Sequence, residues 1–230
     1  MEMPVINILK KLNLFEWILV VGIIALNIIS FIVTKETNWI GIIASITGVI
    51  GVVMGAKGHI SNYYWAIINI FAYGIVCFQT KFYGEVILDV IYHLPMQFVG
   101  IYMWKKHLDK DNIVKTRGMN IKQMVFVTII SIVGILGYGM FLKLINGYLP
   151  FIDSTINVLV IIATYLSVKR FKEQWIIYIL LNIISICMWT ITLINNELNS
   201  LVMIIMFSFY LANAVYGYIN WTKLERSQRL

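Results

Sequence analysis

Four polar side chains recur at every fourth position of one long apolar segment: Glu85, Asp89, His93 and Gln97. A spacing of four places side chains one above the next on a single face of an α-helix. A carboxylate beside an imidazole can exchange a proton, and a carboxamide both donates and accepts hydrogen bonds. The stripe therefore indicates either a substrate-facing wall or a buried polar seam against a neighbouring helix.

A second set of polar and aromatic residues surrounds asparagines in three other apolar segments. An asparagine amide suits hydroxyl or carboxamide partners, and the faces of tryptophan and tyrosine suit a flat ring, especially a cationic one. Polar groups at membrane depth are costly unless they are paired or line a wet cavity. The predicted binding residues are Trp65, Asn69, Asp89, His93, Gln97, Trp175, Tyr178, Asn182, Trp189, Tyr210 and Asn213.

Other conspicuous residues have simpler interpretations. Aromatic side chains near the ends of membrane spans often serve as interfacial anchors. Asp153 lies near the start of a predicted helix, where it can equally be a helix cap. Cys77 and Cys187 lie inside apolar runs and are expected to be packing residues, and no metal site is predicted. The residues interpreted as interfacial anchors are Trp17, Tyr63, Tyr64, Trp104 and Trp221.

Composition indicates an all-α integral membrane protein. Of the 230 residues, 60% are hydrophobic and only 13% are charged, and the mean hydropathy is +0.83. A soluble domain carries roughly a quarter of its residues as charged ones. Strands of a membrane barrel would show an alternating pattern instead of continuous apolar runs. The net charge of +7 has no solvated basic face to serve nucleic acid, so a nucleic-acid partner is not predicted.

Apolar runs of about 20 residues predict eight transmembrane helices. The first run is too long for a signal peptide and lacks a small-residue cleavage site, so it is interpreted as an uncleaved span. The predicted helices are 14–34, 38–57, 62–79, 84–105, 121–146, 150–169, 174–194 and 199–222.

Basic residues are distributed unequally between the two sides of these spans. With eight spans, fifteen of the eighteen lysines and arginines fall on one side, and only Lys35, Lys81 and Lys143 fall on the other. The positive-inside rule then predicts that both termini lie in the cytoplasm, and seven spans would remove the asymmetry. The basic side can also hold anionic lipid head groups, so membrane lipid is an expected partner.

Two parts of the chain repeat one pattern. Trp65-Ala-Ile-Ile-Asn69 matches Tyr178-Ile-Leu-Leu-Asn182, and Gly100-x-x-x-Trp104 matches Gly217-x-x-x-Trp221. Each unit contains three spans, and one span separates the units, so they are predicted to be parallel repeats with a substrate site between them. The predicted parts are an N-terminal span in 1–37, a first repeat in 38–105, a loop and linker helix in 106–149, a second repeat in 150–222 and a cytoplasmic tail in 223–230.

In this order, several motifs resemble the PnuC family of vitamin transporters. The resemblance covers residues 39–221 and includes Ile60-Ser-Asn-Tyr-Tyr-Trp65, Gln97-x-x-Gly100-x-x-x-Trp104 and Glu173-x-Trp175-x-x-Tyr178-x-x-x-Asn182. It implies the 3-1-3 helix arrangement of the sugar-carrying SWEET proteins, with span 14–34 outside the shared core. Family members often have a tryptophan where this chain has Tyr178.

The resemblance also implies a function. The type member carries nicotinamide riboside, and members are thought to act as facilitators in the bacterial plasma membrane while a cytoplasmic kinase traps the substrate. An aromatic box with nearby amides matches the cationic ring, carboxamide and ribose hydroxyls of nicotinamide riboside, and Asp89 can balance its charge.

Three alternatives stay open at this point. Related family members carry thiamine or riboflavin, and an Asp89–His93 proton relay would make the carrier proton-coupled. An intramembrane enzyme is disfavoured, because no second carboxylate, metal-ligand pair or nucleophile lies at a fitting spacing. No cofactor is predicted, and a homo-oligomer is neither indicated nor excluded.

Overall fold

The computed structural model of the protein describes residues 12–34, 39–79, 83–146, 149–194 and 200–229. In these ranges the regular structure is helical, apart from three isolated β-bridges between loops. The eight helices are α1 (Leu14–Thr34), α2 (Trp39–Lys57), α3 (Ser61–Gln79), α4 (Tyr83–Leu88, continued by Asp89–His93 and Leu94–Lys105), α5 (Ile121–Leu144), α6 (Pro150–Val168), α7 (Gln174–Ile194) and α8 (Ser200–Arg229).

The helices follow the predicted ranges closely, with one clear difference. Helix α8 continues past its predicted end at residue 222 and reaches Arg229. Contacts explain the extension, because Glu225 and Gln228 are held by side-chain and backbone partners at that end of the bundle. The predicted connections that carry Lys35 and Lys81 lie outside the described residues.

Six helices in the described part of the chain are long and apolar enough to cross a membrane: α2, α4, α5, α6, α7 and α8. Helix α3 is not among them, since its asparagines and tyrosines lower its mean hydropathy. The described apolar part of α1 is the shorter segment Leu14–Leu26. The chain is therefore an all-helical protein with several membrane-spanning helices.

Helix α4 contains one turn of π-helix at Asp89–His93. The turn ends just before Pro95, which has no backbone N–H and whose ring excludes the carbonyl four residues earlier. The Leu94 N–H bonds the carbonyl five residues back, at Asp89, instead of the usual fourth one. Pro95 thus accounts for the wider turn of the helix at Asp89–His93.

Six helices form a closed ring. In order around it are α2, α3, α4, α6, α7 and α8, and α8 returns to α2. Helix α5 lies outside the ring against α6, and α1 lies outside against α2 and α8. Among the described residues, the backbones of helices on opposite sides of the ring do not approach one another.

The loops that carry most of the described lysines and arginines meet at one end of the ring, called the basic end here. Helices α2, α4, α6 and α8 all finish there. Backbone bridges join His59 to Ile113 and Arg117 to Phe171, and Gln228 accepts a hydrogen bond from the Thr116 N–H at 2.8 Å. The segment 106–120 thus crosses this end as a strap that contacts two loops and α8.

Helix α1, predicted to lie outside the shared core, is joined firmly to the ring. Glu16 is completely buried, and its carboxylate accepts hydrogen bonds from Lys57 of α2 at 2.8 Å and from the Tyr216 hydroxyl of α8 at 2.7 Å. A buried carboxylate requires such partners. Leu19, Val20 and Ile23 of α1 pack in the same cluster as residues of α2. Helix α1 therefore covers the seam between α2 and α8.

Candidate substrate site

One face of α7 carries the richest set of buried polar groups. Asn182 and Ser185 are both buried, and Trp189 lies two turns beyond Asn182. The Asn182 amide Nδ2 donates to the Tyr178 carbonyl in its own helix at 2.7 Å. In the described part of the chain, Ser185 Oγ and Trp189 Nε1 are buried without a hydrogen-bond partner. Such orphaned groups are expected where a polar ligand or water completes the hydrogen bonding.

The polar stripe of α4 lies at the π-helical turn. His93 Nδ1 is 3.7 Å from Asp89 Oδ1, which confirms the expected pairing of these two side chains. Gln97 Nε2 donates to the His93 carbonyl at 3.1 Å, and His93 Nε2 is buried with no partner among the described residues. The side chain of Glu85 lies outside the described part. This face therefore offers an imidazole, a carboxylate and an amide oxygen.

Four other predicted binding residues serve contacts between helices. Asn69 Nδ2 donates to the Ala44 carbonyl of α2 at 2.5 Å, and Asn213 Nδ2 donates to the Val52 carbonyl of α2 at 3.2 Å. Trp65 and Tyr210 pack on the cluster formed by α1 and α2. These four residues therefore pack on α2 or on the cluster of α1 and α2.

At the basic end, an aromatic cluster fills the ring. It consists of Tyr63, Trp104, Trp175 and Trp221, and all six ring helices supply residues to the surrounding core. Ring centroids are 4.8 Å apart for Tyr63 and Trp104, 5.7 Å for Trp104 and Trp221, and 6.0 Å for Trp175 and Trp221. Tyr178 continues the series, 5.7 Å from Trp175.

This cluster overturns the interpretation of three residues as interfacial anchors. Trp104 and Trp221 are fully buried, and Tyr63 is 3% exposed. Interfacial anchors need access to the lipid head groups, whereas these rings pack against one another inside the protein. Trp17 and Tyr64 are exposed, as an anchor requires. The Gly-x-x-x-Trp spacing could have indicated from the sequence that these tryptophans are buried, because a glycine one turn from a tryptophan leaves room for a second aromatic ring.

Matched residues of the two predicted repeats make matched contacts in the cluster. Trp104 Nε1 donates to the Ser167 carbonyl of α6 at 3.0 Å, and Trp221 Nε1 donates to the Gly55 carbonyl of α2 at the same distance. Each unit thus places its last tryptophan on the first helix of the other unit.

The two glycines that precede these tryptophans show the same correspondence. A side chain on Gly100 would collide with the ring of Tyr63, and one on Gly217 would come within 2.6 Å of the ring of Trp175. Both glycines therefore permit an aromatic ring to lie directly on the helix backbone.

The polar faces of α4 and α7 lie just beyond this cluster, on the side away from the basic end. Gln97 lies one turn beyond Gly100, and Asn182 lies one turn beyond Tyr178. At 1.5 Å of rise per residue, Gln97 lies about 10 Å from Trp104 and Asn182 about 10 Å from Trp175 along their helices. Both amides therefore lie on the same side of the aromatic cluster, away from the basic end.

Two ionisable groups of the loop between α6 and α7, next to the strap, have shifted pKa values. Burial raises the pKa of the Glu173 carboxyl, and the hydrogen bond that it accepts from the Met119 N–H at 3.1 Å partly offsets this by lowering the pKa. Lys172 Nζ is 2.5 Å from Glu225 Oε2. Burial, with Arg117 nearby, lowers the pKa of the Arg170 guanidinium. Glu173 and Arg170 bond the strap at Met119 and Lys115, and the Lys172–Glu225 pair joins the α6–α7 loop to α8.

Asp153 is not a helix cap. The cap position of α6 is Leu149, and the Asp153 carboxylate instead accepts a hydrogen bond from Asn157 at 2.8 Å one turn later. Within the described residues, no group of histidine, cysteine, aspartate and glutamate side chains is arranged to hold a metal ion.

Several helices of spanning length that enclose buried polar and aromatic side chains define a polytopic membrane protein. The family model described as the nicotinamide mononucleotide transporter matches residues 38–223. The chain belongs to this family of membrane transporters.

The names of similar proteins are consistent with this family. Two are named nicotinamide riboside transporter PnuC. The one from Neisseria mucosa is 34% identical, and the match covers 92% of this chain and 82% of that protein. The one from Haemophilus influenzae is 32% identical, and the match covers 92% of this chain and 91% of that protein. A solved structure described as the vitamin B3 transporter PnuC has a TM-score of 0.76 and 33% identity over 94% of each chain.

Proposed function

We propose that this protein carries nicotinamide riboside across the membrane by facilitated diffusion. The observation that carries the proposal is that α4 and α7 each carry an amide about two turns beyond the aromatic cluster, on the same side of it. Gln97 and Asn182 supply amide groups for the carboxamide and ribose hydroxyls, and Trp189 or Tyr178 supplies a face for the cationic ring. Asp89 lies on the same face as Gln97 and balances the positive charge. The names of the relatives support this substrate.

Binding of candidate vitamins to the purified protein tests the substrate. Isothermal calorimetry should detect nicotinamide riboside, with thiamine and riboflavin as competing candidates. Thiamine also carries a cationic ring but lacks a carboxamide and a ribose, so it should bind more weakly if the amides recognise those groups. Tighter binding of thiamine or riboflavin would replace the proposed substrate and leave the carrier class intact.

The helix arrangement proposed for this carrier is two parallel three-helix units, α2–α4 and α6–α8, joined by the linker helix α5. The closed ring and the exchange of tryptophan contacts between units support it, because each unit meets the other through the same pair of helices. A substrate site then lies between the units, at the ring centre.

With the basic end in the cytoplasm, a tag after α8 is expected to be accessible only from the cytoplasmic side. The unequal distribution of lysine and arginine predicts this orientation. Labelling of single cysteines in intact cells and in lysed cells measures it. Reagent that reaches a C-terminal tag in intact cells would reverse the orientation, and the aromatic cluster would then close the outer face.

Uptake is proposed to be driven by a cytoplasmic kinase that phosphorylates the substrate. Liposomes that contain the protein but no kinase should fill with nicotinamide riboside to the outside concentration and no further. Radiolabel inside the liposomes measures this end point, and enclosing a kinase and ATP should raise it.

One contact favours a second candidate mechanism, proton-coupled transport. Asp89 and His93 are within 4 Å of each other at the π-helical turn, where a proton could be held and passed on. Accumulation above the outside concentration under an imposed pH gradient, abolished by His93→Gln, would establish coupling. If the final substrate concentration inside the liposomes is the same with and without the gradient, the mechanism is facilitated diffusion.

A further inference from the structure

The seam between α4 and α6 is open over half its length. The α6 backbone approaches only the Leu94–Lys105 part of α4 among the described residues. Beyond that part, towards the end opposite the basic end, the Tyr92 hydroxyl donates to the Ile161 carbonyl at 2.6 Å. A cavity of about 750 Å³ lies there between α4, α5 and α6.

The corresponding seam in the other half of the ring is closed. Between α8 and α2 it is covered by α1, where Gly22 allows the Phe209 ring of α8 to lie against the α1 backbone. Val49 of α2 is completely buried there. Helix α5 precedes α6 as α1 precedes α2. Among the described residues, however, the α5 backbone approaches only α6, whereas the α1 backbone approaches both helices of its seam. The open seam therefore lacks the second contact that closes its counterpart.

Apart from Tyr92, Tyr138 and two polar residues at its mouth, the lining of the cavity is apolar. Ile87, Leu88 and Ile91 of α4 face Val158 and Ile161 of α6 across it. Ile87, Ile91 and Ile161 are exposed, with 57%, 72% and 38% of their surface accessible. At membrane depth this surface suits a hydrocarbon chain, because it offers no hydrogen bonds to water.

The mouth carries one oriented carboxylate. Asp153, in the first turn of α6, is exposed, and it lines the cavity together with Asn157. The Asn157 amide donates to one carboxylate oxygen at 2.8 Å and to the Asp153 backbone carbonyl at 2.9 Å, which holds the carboxylate in place. A negative group at the edge of an apolar cleft favours a ligand with a positive head and an apolar tail.

We propose that this cleft binds a phospholipid whose head group carries a primary ammonium, with its acyl chain along α4 and α6 and its ammonium on Asp153. A primary ammonium has three N–H donors for the carboxylate, whereas a trimethylated one has none. The lipid then occupies the place in this seam that α1 occupies in the other. The site lies outside the ring, so it does not depend on the substrate proposed above.

Native mass spectrometry of the purified full-length protein tests the site. Phosphatidylethanolamine, phosphatidylcholine and phosphatidylglycerol with identical acyl chains are titrated separately. The expected result is that phosphatidylethanolamine binds roughly tenfold more tightly than the other two, the size of effect that one charge-assisted hydrogen-bonded pair produces. Asp153→Asn should lower that affinity to the level of phosphatidylcholine. Equal affinity for the three head groups, or no effect of Asp153→Asn, would overturn the proposal.

A matched pair of bulky substitutions separates the cleft from the general lipid-facing surface. Val158→Trp fills the cleft and should remove the tightly bound lipid. Val133→Trp, on an exposed position of α5, should leave lipid binding unchanged. If Val158→Trp instead dissociated an oligomer without changing the bound lipid, the occupant would be a second copy of this chain, and the lipid proposal would be wrong.

Discussion

Asn182→Leu and Gln97→Leu are each expected to weaken binding of nicotinamide riboside by roughly tenfold to a hundredfold. Each leucine leaves a polar group of the bound nucleoside without its partner in a water-poor site, which costs about 1–3 kcal/mol. Calorimetric titration of the purified variants measures the loss. The fold should survive, because among the described residues Asn182 Nδ2 and Gln97 Nε2 donate to carbonyls of their own helices and to no other helix.

The best control for these variants is an exposed aromatic residue. Tyr64→Phe removes a hydroxyl from a side chain that is 45% exposed, so substrate affinity should stay within about twofold. Trp104→Phe would be a poor control despite its position near a helix end, since the Trp104 indole donates to Ser167 within the buried cluster. Normal affinity in both amide variants would place the substrate elsewhere in the ring.

Gly217→Ala is expected to destabilise the protein and to slow transport at least tenfold. The new methyl group would lie 2.6 Å from the Trp175 ring, which is itself buried against Trp221 and cannot withdraw. Overpacking of this kind costs about 1–3 kcal/mol, or a thermal unfolding midpoint lower by roughly 2–12 °C. Gly100→Ala should behave alike because it meets Tyr63. Differential scanning fluorimetry and liposome uptake measure the two effects.

Two other glycines supply the matched control. A methyl group on Gly74 or Gly137 meets no atom within 4 Å. Alanine also favours helix by about 0.5–1 kcal/mol over glycine, so these variants should be as stable as the parent or slightly more so. Equal behaviour of all four alanine variants would mean that close packing of rings on Gly100 and Gly217 is unimportant.

Several features of this protein followed from local sequence. Apolar runs between charged stretches predicted the helix ranges, because the length of a span and its hydropathy are properties of neighbouring residues. Spacing of four predicted the approach of His93 to Asp89. The order of short motifs was enough to suggest the family, since each of those motifs is read along the chain.

Packing between distant segments decided which polar and aromatic residues contact one another. Trp104, Trp221 and Trp175 lie far apart in the chain, and nothing local distinguishes a tryptophan that faces head groups from one that fills a ring of helices. Likewise Asn69 and Asn182 occupy matched positions in the sequence. Only the contacts show that Asn69 bonds the neighbouring helix α2 while Asn182 bonds its own.

The position of α1 shows the same division most clearly. Its apolar run determined that it is a helix, but not which surface it covers. Glu16 near its start reads as an ordinary helix-start carboxylate, and only the folded ring brings Lys57 and Tyr216 to it. Which of two equivalent seams is closed by a helix and which remains open depends on contacts between segments that are distant in the chain. Such contacts leave no periodic signal in the sequence, because each helix face is compatible with more than one neighbour.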